Sequence, residues 1–414
     1  MMMAALVVLV VLVMPLTALH SGTTKARQTI VVSPGRHRSA LATASGQSVA
    51  PRRTDDGFSY GSPSLDRYGG SEAWWTNLAT TRSSRVLSRI SGHMVATITM
   101  ASAVSIAFGT VKMGVLPSDA AVFVESCALP ELPHAAVGSF IGLLLAFRTQ
   151  QAYDRFWEAR GLWDEVFAAT RGLVRLSTAS RDLGTHEAME TSETVVGLAA
   201  AFPYALKQHL RGERNRRELL EAAAVASGCS NGAPAMRYLV AAARQPNLPL
   251  AVLSELTHAL LPMRLSHGDL FWWQADQHCD QLVAILSKAE RINGTPVPLS
   301  YSRHTSRFFS VYTFTLPLAL CHTINLWLLP PAVAVVSWVI YATEEIGHII
   351  ENPFGAGLTD DPENQGENQL EVLPLGRYCA DIAADAATIH SAAPVSAEEL
   401  PSNEDELVSF DEVA

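Results

Sequence analysis

Residues 132–166 read LPHAAVGSFIGLLLAFRTQQAYDRFWEARGLWDEV, and the change of character at position 148 decides the fold class. Leu132 to Phe147 is sixteen residues without Asp, Glu, Lys or Arg, and Arg148 ends the run abruptly. An apolar bilayer core about 30 Å thick is crossed by roughly 20 such residues in a helix. Pro133 suits the opening turn, where its missing N–H is one of the donors left unpaired anyway. Gly138 and Gly142 form a GxxxG pair, small enough for a neighbouring helix to approach closely. Leu132, Ala136, Phe140 and Leu144 recur every four residues on roughly the opposite face, as a narrow apolar stripe. Pattern alone is satisfied if both faces simply pack in a helical bundle.

Working outward, Ile90 to Val111 is charge-free for twenty-two residues, and Phe308 to Thr343 for thirty-six. Pro330–Pro331 interrupts the latter, so it reads as two spans joined by a sharp turn. Trp327 and Trp338 stand near the ends of these segments, where amphipathic rings favour the membrane interface. Thr194–Leu206 and Leu248–Met263 are apolar but short, and read as core helices of a domain outside the membrane. Strict alternation is absent, so no strands are expected. The expected fold is an all-α membrane protein with four transmembrane helices per subunit plus a helical extramembrane domain. Ser91, Thr97, Thr99, Ser102, Ser105 and Thr110 make the first span polar, which suggests a bundle interior or a wet path.

Composition agrees. Charged residues are 17% of the 414, hydrophobic ones 48%, and the mean hydropathy is +0.16, against roughly a quarter charged in soluble proteins. A net charge of -10 argues against nucleic acid as a partner. Five scattered cysteines without a CxxC pair exclude a disulfide scaffold or a zinc knuckle.

The charges are unevenly placed. Residues 1–54 hold six basic residues and no acid, with an apolar run at Ala4–Leu19 ahead of a Ser/Thr/Arg-rich stretch. Signal-like and then transit-like, this order fits the two-part leader of a plastid protein. Residues 378–414 carry nine acids and no Lys or Arg, which reads as a solvated acidic tail.

Longer motifs carry a family resemblance. AFRTQQAYDRFWEARGLWDEV (146–166), AFPYALKQHLRG (201–212), PVPLSYSRHTSRFFSVYTFTLPLAL (296–320), EEIGHIIENPFG (344–355) and LPLGRYC (373–379) occur in this order. Together they resemble the bestrophin family over roughly 74–379, above all its plastid and bacterial branch with the thylakoid voltage-dependent chloride channels. The resemblance implies a homopentamer around a central pore that conducts chloride and other small anions through a hydrophobic neck lined by the second helix of each subunit. Leu132–Pro133 and Arg148 match the ends of that helix, which makes Leu132, Ala136 and Phe140 the neck positions. Ala136 is smaller than the side chain usual there. Pro133, Leu144, Arg148, Arg155 and Arg160 are then candidates for flanking the pore or lining a vestibule, where basic groups would concentrate anions. The alternative is structural pairing, with Asp154 beside Arg155 and Glu158 beside Arg160.

Calcium-sensing members of the family carry a dense acidic cluster after NPFG. Here only Asp360, Asp361 and Glu363 follow closely, too few for the six to eight oxygens calcium takes. Asn352, Asp360 and Asp361 are the residues that would contribute to such a site, and no other cofactor is expected. The implied organisation is a leader at 1–54, two spans at 74–156, a helical stromal domain at 157–298, two spans at 299–350, a post-membrane motif at 351–378 and a disordered acidic tail at 379–414. The expected location is the thylakoid membrane. A pigment- or electron-transfer-associated subunit and a secondary anion transporter are the other classes considered. GxSxG, HExxH and P-loop strings are absent, so an enzyme is not expected.

Overall fold

A computed structural model describes Trp75 and residues 84–181, 186–228, 234–355 and 372–392. The chain divides into two units between Ser91 and Gly92; the described part of the first is Trp75 and the start of one helix. Among the described residues the regular structure is helical: α1 (Arg85–Lys112), α2 (Ser118–Ser126), α3 (Glu131–Arg181), α4 (His186–Arg211), α5 (Arg216–Ser227), α6 (Pro234–Ala242), α7 (Leu248–His267), α8 (Asp269–Gly294), α9 (Leu299–Leu320), a 3-10 turn at Leu326–Leu328, α10 (Leu329–Ile350) and α11 (Leu375–Ser391). The leader at 1–54 lies outside the described residues.

Among the described residues, three stretches are long and apolar enough to cross a membrane: Val86–Lys112, Ser118–Arg181 and Leu326–Ile350. The expected third span, α9, is not among them, because Ser302, Arg303, Ser306, Arg307 and Ser310 dilute its first half. The break before α10 comes at residues 321–328, ahead of Pro330–Pro331, which occupy the first turn of α10. Proline costs nothing there, since the first N–H groups of a helix have no intrahelical partner. Trp327 is exposed in that turn, whereas Trp338 sits in the middle of α10.

The hydroxyls of α1 do not need a wet path. Thr97 bonds the carbonyls of His93 and Met94 at 3.0 Å, Thr99 that of Val95 at 2.8 Å, and Ser102 that of Ile98 at 2.8 Å. Ser105 reaches across to the Leu326 carbonyl at 2.5 Å. Each donor is satisfied by a backbone oxygen one turn back or on a neighbouring turn, so the polar composition of this helix is compatible with an apolar setting.

Unbroken over 51 residues, α3 is about 77 Å long at 1.5 Å per residue, more than twice the apolar thickness of a bilayer. The expected boundary at 156/157 therefore falls inside one rigid rod. Ala159, Leu162, Trp163, Val166, Ala169, Leu173 and Leu176 recur at helical spacing and are buried against α4, α8 and α11. The apolar α4 is buried nearly all round, which makes it the central helix of this domain. Thr194–Leu206 lies within it, and Leu248–Met263 within α7.

The stretch expected to begin a disordered tail is partly helical. Residues 379–391 belong to α11, whose Leu375, Cys379, Ile382, Ala383 and Ala386 are buried in the domain core. Arg171 Nε and Nη2 both donate to Asp385 Oδ2, at 2.9 and 2.5 Å, and Arg181 Nη1 donates to the His390 carbonyl at 3.0 Å. The acids counted along the sequence thus hid an amphipathic helix that packs on α3.

Candidate functional site

The first half of α3 presents an uncovered apolar face. Leu132 is 83% exposed and Phe140 64%, with Ala136, Leu143 and Phe147 also exposed on the same side. At 100° per residue these five fall within roughly a quarter of the helix circumference. Ile141, Leu145 and Arg148, on the opposite side, are buried within the chain. Leu144 is half-buried at the edge of the exposed face, and Pro133 is exposed in the first helical turn. Of the glycine pair, only Gly138 packs inside the chain: a Cβ there would stand 2.6 Å from Tyr312 Oη of α9. A Cβ at Gly142 would meet nothing within 4 Å.

Arg148 is buried and Arg155 half-buried, and both are held by partners within the chain. The Arg148 side chain is 1% exposed; its Nη2 donates to Glu351 Oε2 and meets His348 Nδ1, both at 2.8 Å, with Glu344 Oε1 3.9 Å from its Nε. Glu351 is the hub of this junction. Its Oε1 accepts the Val297 N–H at 3.0 Å, and its carbonyl accepts from Arg155 Nε at 2.8 Å. Arg155 also donates to the Thr295 carbonyl at 2.6 Å and to that of Ile292, closing the C-terminal end of α8. Burial alone would raise the Glu351 carboxyl, but the His348 and Val297 hydrogen bonds and the Arg148 charge outweigh it and hold it at about 2. Both arginines therefore fasten the end of α10 and the α8–α9 link to α3.

The paired acids differ from those expected by adjacency. Arg160 pairs with Asp164 one turn on and lies 4.9 Å over the Tyr378 ring, Glu158 pairs with Arg291, and Asp154 accepts from Gln150 at 2.7 Å. Residues one or two apart on a helix point in different directions, so neither the i,i+1 nor the i,i+2 pair faces itself. Lys207 and Arg211 are buried too, the first paired with Glu218, the second donating to the Phe354 carbonyl at 3.1 Å. Phe354 is sealed in the core of the helical domain, and Gly355 turns the chain with φ +68. The NPFG motif is thereby a plug that docks the end of α10 into that domain.

No group of three or more His, Cys, Asp or Glu gathers for a metal among the described residues. The Asn352 carbonyl accepts the Gly355 N–H at 3.3 Å, and the Glu351 carboxylate beside it is taken by Arg148 and Val297. Asp360 and Asp361 lie outside the described residues.

What sequence reading missed is the cluster Glu344, His348 and Glu351, spaced to share one face of α10 and meet a lone arginine. The signal was there: an acid, a histidine and an acid at i, i+4 and i+7, opposite the basic residue that ends the apolar run.

Long apolar helices joined to a packed helical domain, with an uncovered apolar face on the longest, define a helical membrane protein. The chain belongs to the bestrophin family: residues 69–362 match the Bacterial/Fungal Bestrophin protein family. Over 235 residues it is 33% identical to a voltage-dependent anion channel-forming protein of Nostoc sp., covering 54% of this chain and 69% of that one. It is 30% identical over 230 residues to the chloroplastic voltage-dependent chloride channel 1 of Arabidopsis thaliana, covering 54% and 51% respectively. The fold matches the crystal structure of a bacterial bestrophin homologue from Klebsiella pneumoniae with a TM-score of 0.57 at 21% identity, over 74% of this chain and all of that one.

Proposed function

We propose that this chain is one subunit of a homopentameric anion channel with four spans per subunit, conducting chloride passively across a plastid thylakoid membrane. The observation that carries this reading is the exposed face of α3, where Leu132, Ala136 and Phe140 stand in line, uncovered among the described residues. Cyclic symmetry would turn each into a ring of identical side chains. An anion passing an apolar ring must shed part of its water, and such constrictions gate by dewetting. Ala136 makes the middle ring wider than those above and below it. The names of the relatives favour conduction over a pigment-binding or transporter role, and the acid-free leader and chloroplastic relatives favour a plastid. In a membrane that pumps protons, passive chloride flow would offset the charge moved and leave the pH difference standing.

Purified protein in liposomes under a potassium chloride gradient tests this reading. Currents reversing at the chloride equilibrium potential support it; reversal at the potassium potential overturns it.

A further inference from the structure

One charged face is left unused by the pore and its anchor. On α9, Arg303, His304 and Arg307 are exposed along one side, and neither arginine has a partner among the described residues. The 22 residues of α9 contain no acid at all, in a chain of net charge -10. Farther along the same side the surface turns apolar, with Val311 exposed and Phe314 half-exposed. The level of this face follows from two contacts. His134 Nε2 of α3 meets Thr315 Oγ1 at 3.2 Å, and Thr313 Oγ1 meets Tyr341 Oη of α10 at 2.5 Å. Since α9 runs antiparallel to both helices, counting 1.5 Å per residue sets Arg303 about level with Arg148 and Glu351, where the apolar stretch of α3 ends. Arg307 is one turn, about 6 Å, deeper, within reach of that boundary for a side chain that extends its charged head past an apolar stem.

We infer that Arg303 and Arg307 form a docking face for the anionic headgroup of a membrane phospholipid, with Val311 and Phe314 against its acyl chains. Charge complementarity selects the headgroup: two guanidiniums one turn apart, unpaired among the described residues, offer parallel N–H donors to phosphate oxygens. The order basic and then apolar along one helix face fits a lipid entering from the boundary. The same pair also explains why α9, though packed among the apolar helices, is too polar to be read as a span. The inference rests on the membrane reading above but not on the identity of the permeant ion.

The test compares the full chain with an Arg303→Gln/Arg307→Gln variant in nanodiscs of phosphatidylcholine doped with a dansyl-labelled phosphatidylglycerol. The readout is energy transfer from the protein's tryptophans, titrated against the labelled lipid, with labelled phosphatidylcholine as reference. A basic residue near an anionic surface contributes roughly fivefold in affinity, so the preference for phosphatidylglycerol should fall about fivefold with each arginine removed. Arg303→Lys/Arg307→Lys should keep most of it. An unchanged preference in the double glutamine variant overturns the inference. Complete displacement of the labelled lipid by millimolar inorganic phosphate also overturns it, by making the face a site for free anions. Loss of oligomer in the variant, seen by size-exclusion chromatography, overturns it in favour of a contact between copies of the chain. Chloride flux measured on the same preparation separates the two readings: a non-conducting protein that keeps its lipid preference defeats the channel and leaves this inference standing.

Discussion

Two stretches of α3 carry the same kind of side chain in opposite settings. Between residues 132 and 147, Leu132, Phe140, Leu143 and Phe147 are uncovered; between 159 and 177, Leu162, Trp163, Val166 and Leu173 are sealed by α4, α8 and α11. The buried stretch is a conventional core, and its apolar area holds the helical domain together. The uncovered face of the first stretch adds little to the stability of the isolated chain, unlike Ile141 and Leu145 on its buried side. That face makes physical sense only against lipid, another copy, or an ion path. Between the two stands the Arg148–Glu351 junction, which makes the exposed half rigid with respect to the buried one.

The largest effect should come from breaking that junction. Arg148→Ala leaves Glu344 and Glu351 with only His348 beside them, and losing one partner of a buried pair costs about 3–5 kcal/mol. Thermal unfolding in detergent should show a large drop in Tm, with little folded protein recovered. In the buried half, Leu173→Ala should cost about 2–5 kcal/mol through the cavity it opens, yet leave the unit current of the folded channels as it was. A change in unit current there would erase the distinction between the halves.

The glycine pair divides the two settings over a single turn. Gly138→Ala pushes into Tyr312 and should cost about 1–3 kcal/mol, whereas Gly142→Ala should leave the fold of the chain intact. Any effect of the latter should appear in the oligomer distribution and not in the unfolding of the chain. Acid gives a smaller handle on the junction. Glu351 is held at about 2, below the ordinary 4.5. Its contribution is therefore complete above pH 4.5 and lost as pH falls toward 2. Glu351→Gln should remove that part of the acid sensitivity, measured as the pH dependence of Tm, while lowering stability near neutrality.

Much of this was legible in the sequence because apolar run length and helical spacing act locally. The run ending at Arg148, the core helices around 194–206 and 248–263, and the stripe at 132, 136 and 140 all follow from such patterns. What was not legible depended on distance or on choosing a face. A proline in a first turn looks the same in sequence as a proline that breaks a helix, so Pro330–Pro331 pointed to a turn that lies several residues earlier. Acid content concealed the buried side of α11, where Cys379, Ile382 and Ala386 alternate with Asp381 and Asp385. The partners of Arg148 and Arg155 are some 200 and 140 residues away, and no local spacing announces them.

Phe140→Ala tests the central claim most directly, measured as single-channel conductance beside an Ile141→Ala control. Phe140 is exposed on the uncovered face and Ile141 is buried on the other, so removing the Phe140 ring should shift the stability of the chain by no more than about 0.5 kcal/mol. Phe140→Ala channels should assemble normally and conduct more, or gate less completely, because the apolar ring widens and wets. Ile141→Ala should weaken the fold and leave the conductance of surviving channels unchanged. Parent-like currents from Phe140→Ala, with an altered unit current from Ile141→Ala, would contradict the assignment of this face to the pore.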